Sequence, residues 1–184
     1  MDLILWRHAE AHLASDAQAD AERALTPKGE RQAQRMAQWL NQRLTDSTRI
    51  LVSPALRCQQ TAQALGRKFK TTNAMAPDAD ASMLLRAARW PASTAAVLVV
   101  GHQPTLGLVV AELLAGAPQR WSIRKGAVWW LRYRERDAHT DDDTDNNNVS
   151  DSDSNRNRNR NRNSHNFAAR HGVVLQAMQA PDWL

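Results

Sequence analysis

The sequence predicts an α/β fold of three layers (α/β/α), in which a mostly parallel central sheet lies between two layers of helices. Strand-like apolar runs alternate along the chain with segments whose apolar residues recur at helical spacing, an order typical of β-α-β units. The run at 95–101 is apolar throughout, as expected of a central parallel strand buried on both faces. The chain has 184 residues, 42% of them hydrophobic, which suits one domain spanning 1–184.

Strands are expected where short apolar runs stand between polar or helical segments. Three such runs belong to the alternating part of the chain, at 3–6, 49–53 and 95–101. Two more, at 127–133 and 171–179, flank a long polar stretch. Joined by one loop, this last pair predicts an antiparallel hairpin with an expanded tip, since lengthening a loop costs little additional entropy.

Helices are expected at 27–44, 54–69, 82–88 and 104–115. Thr26 is expected to cap the first, because it precedes Pro27 at a position that suits the first helical residue. Ser53 is expected to cap the second in the same way, and Gly116 to end the fourth. The remainder of 70–91 predicts only loop.

The polar stretch at 137–166 differs in composition from the rest of the chain. It is almost free of apolar residues, and an acidic block in it precedes an Asn-Arg repeat at 155–163. Such a segment buries too little apolar surface to offset its ordering entropy, so we expect a disordered, low-complexity insert in the terminal hairpin. An RNA or acidic-partner contact through the arginines is the alternative interpretation.

The net charge of +5 is a sum of unlike parts. The insert at 137–166 carries −3, which leaves +8 on the remainder, so the partner could be a nucleic acid, an anionic membrane or an anionic substrate. No apolar run approaches the roughly 18 residues of a membrane span, and the run at 3–6 is too short for a signal peptide. The single cysteine, Cys58, excludes an internal disulfide, so a reducing compartment, a bacterial-type cytoplasm, is expected. We expect a small buried thiol at Cys58.

Charged and nucleophilic side chains follow three of the predicted strands. Arg7-His8 comes after the first strand, the segment 53–57 after the second and Gly101-His102 after the third. In open α/β sheets ligands bind outside the carboxyl ends of the strands, so these groups are expected to converge on one ligand. Arginines suit phosphate oxygens and an imidazole can attack phosphorus. There is no glycine-rich phosphate loop and no carboxylate cluster, so neither a cofactor nor a metal site is predicted.

Four segments of the chain resemble the motifs of one family. Residues 3–11 (LILWRHAEA) resemble its R-H-G/A signature, 23–29 (RALTPKG) its R-x-L-T-x-x-G element, 53–62 (SPALRCQQTA) its S-P-x-x-R-x-x-Q-T-A element and 99–104 (VVGHQP) its G/S-H-x-P element. The family is the histidine phosphatase (phosphoglycerate mutase-like) superfamily, and the chain is most similar to its short SixA-type phosphohistidine phosphatases. Order and spacing agree over most of 1–135, whereas the insert at 137–166 has no counterpart in the family pattern.

The resemblance implies a role for each residue that matches a motif. His8 would be the nucleophile that forms a phosphohistidine intermediate. Arg7 and Arg57 would bind the phosphoryl oxygens and stabilise charge in the transition state. His102 would donate a hydrogen bond to a non-bridging oxygen. Arg23 would either complete this clamp or hold its loop through a salt bridge.

The general acid is the least defined part of the predicted site. Asp78 and Asp80 are candidates, with solvated loop carboxylates as the alternative interpretation, and Glu10 could orient a group in the substrate pocket. Imidazole is a better leaving group than an alkoxide, so a phosphohistidine substrate needs an acid less than a phosphomonoester does.

The sequence therefore predicts a metal-independent phosphohistidine phosphatase. Its partner would be a phosphohistidine-containing signalling or phosphotransfer protein, and a monomer is expected. A small-molecule phosphomonoesterase of the same superfamily is one alternative. An RNA- or acidic-protein-binding module that uses the Arg repeat at 155–163 is the other, with nucleic acid as the runner-up explanation of the basic charge.

Overall fold

The computed structural model describes residues 1–15, 18–134 and 172–184. Six strands form one mixed sheet: β1 (Asp2–Arg7), β2 (Arg49–Val52), β3 (Lys70–Thr71), β4 (Val97–Gly101), β5 (Val128–Arg134) and β6 (Gly172–Gln179). Four α-helices accompany them: α1 (Pro27–Asn41), α2 (Leu56–Gln63), α3 (Ala81–Ala88) and α4 (Thr105–Ala115). The predicted α/β class is confirmed. The insert predicted at 137–166 lies outside the described residues.

The strand order in the sheet is β3-β2-β4-β1-β5-β6. β3, β2, β4 and β1 run parallel to one another, whereas β5 pairs antiparallel with both β1 and β6. The mostly parallel sheet and the terminal antiparallel hairpin are therefore both as predicted. In the register of the parallel strands, Arg7 lies opposite Gly101 and Val52 opposite Val100. The chain thus leaves β1, β4 and β2 at nearly the same level of one sheet edge.

The two faces of the sheet carry separate hydrophobic clusters. Side chains alternate along β1, so that Leu3 and Leu5 pack with residues of α3 and α4, whereas Ile4 and Trp6 pack with residues of α1 and α2. All four β1 side chains are fully buried. This alternation produces the predicted three layers. Among the described residues, no helix combines the length and the hydrophobicity that crossing a membrane requires.

Helix α1 begins as its sequence predicts. The Thr26 side chain accepts a hydrogen bond from the Gly29 amide at 3.0 Å, and Pro27 is the first helical residue. Gly116 ends α4 with a φ of 68°, also as predicted. Helix α1 ends at Asn41, three residues before the predicted end.

Helix α2 is shorter than the predicted 54–69. Pro54 is not helical and Ser53 is not the cap, because Ala55 is extended (φ −63°, ψ 135°) and the helix begins at Leu56. The far end is cut short by Gly66, which adopts a φ of +66° that no right-handed helix accepts. The chain then forms β3, which the sequence did not predict, beside Leu51 and Val52.

Candidate active site

His8 and His102 meet at the carboxyl edge of the sheet. They directly follow the neighbouring strands β1 and β4, and the His8 amide donates to the Gly101 carbonyl at 3.1 Å. The two ring centroids are 5.2 Å apart, with a tilt of 54° between the planes. Both residues are nearly buried, with 7% and 4% exposure. The convergence of the two histidines expected from the strand ends is thus present.

The His8 ring is oriented by its own loop. Its Nδ1 lies 2.7 Å from the Ala9 carbonyl oxygen, and a carbonyl only accepts, so Nδ1 carries the proton. Nε2 is then the nitrogen with the available lone pair. The loop is fixed in turn by Thr61, whose hydroxyl accepts from the Ala9 amide at 3.1 Å and donates to the Arg57 carbonyl at 2.6 Å. One hydroxyl therefore joins the His8 segment to the Arg57 segment.

The surroundings of His8 keep its imidazole neutral. Burial lowers the pKa of His8 to about 4, and the positive charges of Arg57, Arg7 and Lys125 add to this effect against the raising effect of the Ala9 hydrogen bond. At pH 7 the ring is therefore uncharged. A neutral imidazole with a protonated Nδ1 is the form in which Nε2 acts as a nucleophile.

His102 is held through both ring nitrogens. Nε2 is 2.8 Å from the Ser53 hydroxyl, and Nη2 of Arg57 donates to Nδ1 at 3.3 Å, so the neutral ring carries its proton on Nε2. Burial lowers the pKa of His102 to about 3, with the Arg57 charge as the next cause. The ring therefore positions the Arg57 guanidinium.

Cys58 also contacts His102, with Sγ 3.4 Å from Nε2. Its thiol is fully buried, as predicted, and burial raises its pKa to about 12. A thiol with this pKa remains protonated at neutral pH. Cys58 therefore packs beside the site and does not supply a thiolate nucleophile.

Arg7 and Arg57 each retain a buried donor without a partner. Arg7 donates from Nη1 to the Ile123 carbonyl at 2.6 Å, and Arg57 donates from Nη1 to the Asp20 carbonyl at 2.6 Å. Within the described part of the chain, the Nε of each guanidinium is buried and makes no hydrogen bond. Unpaired buried donors of this kind are costly, and an anion would satisfy them. The two arginines thus fit a phosphate-like ligand.

The carboxylate of Asp20 bridges Arg23 and Arg57. Its Nε and Nη2 contact Oδ1 of Asp20 at 2.9 and 2.8 Å, and Oδ2 of the same carboxylate is 2.9 Å from Nη2 of Arg57. Arg23 also donates to the His12 carbonyl. The salt bridge that was one of the two expectations for Arg23 is therefore present, and it involves a residue, Asp20, that the sequence reasoning did not single out.

Glu10 faces the start of helix α1. Its carboxylate accepts from the Thr26 hydroxyl at 3.0 Å and lies 3.2 Å from Nζ of Lys28. These contacts, that of Lys28 first, lower the pKa of Glu10. They fasten the loop after His8 to α1, and contact of Glu10 with substrate stays a prediction.

The two candidate acids lie just before helix α3. Asp80 caps the helix, because its carboxylate accepts from the Met83 amide at 2.7 Å and the Ser82 hydroxyl at 2.8 Å, and the Met83 bond is the main cause of its lowered pKa. A carboxylate that is stabilised in its charged form is a poor proton donor. Asp78 is exposed, and its role as an acid stays a prediction.

Sequence reasoning missed three residues that contact the site: Asp20, Ser53 and Thr61. Ser53 and Thr61 do stand at two positions of the S-P-x-x-R-x-x-Q-T-A element, which was the available signal. Asp20 precedes Arg23 by three residues, a spacing that signals an ion pair and nothing more specific. No group of three or more His, Cys, Asp or Glu side chains among the described residues could hold a metal ion.

The carboxyl edge of the sheet carries two buried histidines and two arginines with unpaired Nε donors, an arrangement that fits a small anion. Residues 3–80 match the model of the histidine phosphatase superfamily (branch 1). The phosphohistidine phosphatase SixA of Escherichia coli (strain K12) is 33% identical over 124 residues, which are 63% of this chain and 76% of that protein. A SixA homolog of Haemophilus influenzae is 32% identical over 128 residues, 61% of this chain and 77% of that protein.

A solved structure of a SixA phosphatase is also similar to this chain. The structure of the protein histidine phosphatase SixA complexed with tungstate superimposes with a TM-score of 0.63 at 28% identity, over 72% of this chain and 88% of that one. The chain belongs to the histidine phosphatase superfamily and is similar to its SixA members. These relatives support a phosphatase.

Proposed function

We propose that this protein is a phosphohistidine phosphatase that works through a covalent phospho-His8 intermediate. The observation that carries the proposal is the state of His8: a neutral imidazole whose Nδ1 is committed to Ala9, beside two guanidinium groups with unpaired buried Nε donors. The nucleophile is therefore in place before substrate arrives, and neither it nor the guanidinium groups have to lose a proton first.

In the first step Nε2 of His8 attacks phosphorus in line with the bond to the substrate imidazole. The new N–P bond forms as the old one breaks, and the bonding pair returns to the substrate nitrogen. When the other nitrogen of the substrate ring carries a proton, the imidazole leaves neutral and no carboxylic acid is needed. The proton of His8 stays on Nδ1, hydrogen-bonded to the Ala9 carbonyl, so the phosphorylated ring is cationic and a good leaving group.

In the second step water attacks phosphorus and the bond to Nε2 breaks. The pair returns to His8, both water protons stay on the released phosphate, and the neutral ring is regenerated. The guanidinium groups of Arg7 and Arg57 bind the non-bridging oxygens throughout, because their charge opposes the negative charge of the transferring group. His102 needs no added proton, because the N–H at Nε2, which now faces the Ser53 hydroxyl, can turn to one of these oxygens while Nδ1 keeps its contact with Arg57.

The proposed preference for phosphohistidine over a phosphomonoester rests on the weakness of Asp80 as a general acid. Asp80 is committed as a helix cap, and its carboxylate is stabilised in the charged form. A site with a weak acid suits an imidazole leaving group better than an alkoxide. The relatives support this choice by their names, and the tungstate complex of SixA shows that a relative binds a tetrahedral oxyanion.

A substrate panel tests the proposal. A purified phosphohistidine domain, a sugar phosphate and p-nitrophenyl phosphate would be compared by kcat/KM. We expect the phosphohistidine domain to exceed the sugar phosphate by on the order of 1000-fold, because a positioned general acid contributes about that much to expelling an alkoxide and Asp80 is not available as one. A sugar phosphate that is hydrolysed equally well would overturn the substrate assignment in favour of the phosphomonoesterase alternative.

Two histidine variants provide the matched control for this panel. His8→Asn removes the proposed nucleophile with little change in size, and His12→Asn removes an exposed histidine from the same loop. We expect His8→Asn to abolish turnover and His12→Asn to keep it within about twofold, as exposed substitutions do.

A further inference from the structure

Asp20 contacts both amino groups of Arg57, one through its carboxylate and the other through its backbone carbonyl. Oδ2 of Asp20 is 2.9 Å from Nη2, and the Asp20 carbonyl accepts from Nη1 at 2.6 Å. The guanidinium itself is almost inaccessible, with 4% of the Arg57 side chain exposed against 55% for Asp20. Asp20 therefore covers the donors of Arg57 on the side that faces solvent.

A phosphoryl oxygen that binds the amino groups of Arg57 would compete with this carboxylate. Arginine binds phosphate through two parallel N–H donors, and here Asp20 accepts one N–H from each amino group of Arg57, through its carbonyl and its carboxylate. A carboxylate and a phosphate dianion on the same guanidinium also repel each other. A phosphoryl group can therefore bind the two amino groups of Arg57 side by side only after Asp20 has moved away.

We propose that Asp20 is a carboxylate gate, which occupies Arg57 in the free protein and is displaced by the phosphoryl group of the substrate. This inference rests on the proposed function of Arg57 as a phosphate ligand. The exposure of Asp20 makes the displacement inexpensive, since the departing carboxylate is rehydrated at once. The same competition weakens the hold of the site on the product phosphate and so favours its release.

Arg23 ties the gate to its loop. It contacts the other carboxylate oxygen, Oδ1, through Nε and Nη2. When Asp20 leaves Arg57 it can keep this ion pair, because the two contacts use different oxygens. The gate thus has a second partner, Arg23, which directly follows the short turn Asp20–Glu22.

Anion affinity tests the gate without any catalytic readout. The dissociation constants of inorganic phosphate and of tungstate would be measured by calorimetry for the wild-type protein, Asp20→Asn and Asp20→Ala. Glu22→Gln is the matched control, since it removes one exposed carboxylate from the same turn. We expect both Asp20 variants to bind phosphate about tenfold more tightly, as a competing charge-assisted contact is lost, and Glu22→Gln to stay within about twofold.

The outcomes separate the gate from the proposed function. If the wild-type protein binds phosphate and the Asp20 variants bind it equally or more weakly, Asp20 holds Arg57 in place and the gate is overturned, while the phosphatase proposal stands. Equal tightening in Glu22→Gln would attribute the effect to overall charge and would also overturn the gate. If the wild-type protein binds neither anion, the phosphate site itself is wrong.

A second readout follows the gate directly. The 13C signal of the Asp20 carboxyl group should shift when the wild-type protein is saturated with phosphate, because the contact with Arg57 is replaced by water. The signal of Glu22 serves as the internal reference. An Asp20 signal that stays in place at saturation contradicts displacement.

Discussion

Nδ1 of His8 donates to the carbonyl oxygen of Ala9 over 2.7 Å, and this bond decides which nitrogen of the ring is left for chemistry. A nucleophilic imidazole must be neutral and must present a lone pair to the substrate. The Ala9 carbonyl meets the second condition, and burial beside Arg57 and Arg7 meets the first. The contact thus links the loop after β1 to the proposed reaction.

The titration of the two histidines is the first prediction. Burial lowers the pKa of His8 to about 4 and that of His102 to about 3, so both rings should stay neutral well below pH 6.5. Histidine side-chain NMR of the phosphate-free protein would measure both midpoints. A midpoint near 6.5 for His8 would show that the ring is solvated and not prepared as a nucleophile.

The second prediction is that the free energy of unfolding depends on the protonation of His8. The pKa of His8 is lower in the folded protein than the 6.5 of the unfolded chain, so the unfolded state binds more protons as the pH falls. The free energy of unfolding should therefore fall between pH 6.5 and about 4, by roughly 3 kcal/mol from His8. Urea unfolding at pH 7 and pH 4.5 would measure the loss.

Because several carboxylates also lose charge in this window, the comparison needs His8→Asn. The variant should show a smaller decrease in stability between the two pH values than the wild-type protein. Equal decreases would mean that His8 does not contribute to the acid sensitivity.

Thr61 should act as a positioning residue. Thr61→Val keeps the shape but removes the hydroxyl that joins Ala9 to Arg57, and it leaves a buried amide and a buried carbonyl without that partner. We expect a loss of about 1–3 kcal/mol in stability, together with a lower kcat. Thr61→Ser keeps the hydroxyl and should retain most of both. The NMR midpoint of His8 should move in the valine variant, which a structural role remote from the site would not cause.

Ser53 should control the orientation of His102. Ser53→Ala removes the acceptor 2.8 Å from Nε2 and leaves that buried donor only the weak sulfur acceptor of Cys58 at 3.4 Å. We expect weaker phosphate binding, because His102 and its contact with Arg57 become less fixed, and a loss of about 1–3 kcal/mol in the free energy of unfolding. Ser47→Ala, at an exposed serine, is the control. Phosphate affinity that is unchanged in Ser53→Ala would contradict this role.

Gly29 should tolerate no side chain. A Cβ at this position would lie 1.9 Å from the Glu10 carbonyl oxygen, where helix α1 packs on the loop after His8. Gly-to-Ala changes inside helices normally stabilise by about 1 kcal/mol, so Gly29→Ala has the opposite expected sign, a loss of about 1–3 kcal/mol. The Tm of the variant measures it.

Gly66→Ala is the comparison for this prediction. Its Cβ would meet nothing within 4 Å, so that only the φ of +66° is strained, at a cost of about 1 kcal/mol. A Gly29→Ala protein that is as stable as the wild type would mean that the loop is not held by this contact.

The central fold was predictable because its signals are local. The uninterrupted apolar run of β4 and the capped, periodic α1 are visible in the sequence itself. β3 was missed because it consists of two exposed polar residues, Lys70 and Thr71, that are strand only by pairing with β2. The start of α2 was misplaced because Ser53 and Pro54 resemble a cap, whereas in the fold Ser53 serves His102.

The candidate site was also predictable in part. The carboxyl ends of parallel strands identify where the two histidines meet, so His8 and His102 follow from strand prediction alone. Asp20 could not be found in this way, because its loop reaches Arg57 only through tertiary packing, 37 residues apart in sequence. The antiparallel pairing of the last two strands was predicted correctly, and the disorder of the segment between them stays a prediction.

The most direct test of the account is a rapid-quench experiment with a phosphohistidine domain that carries a 32P label. The wild-type protein should acquire the label transiently in a bond that is labile to acid and stable to alkali, as phosphohistidine is, and peptide mapping should place it on His8. His8→Asn should acquire none, and His12→Asn should be labelled like the wild type. Turnover without a labelled protein intermediate, or label on another residue, would contradict the covalent phospho-His8 mechanism.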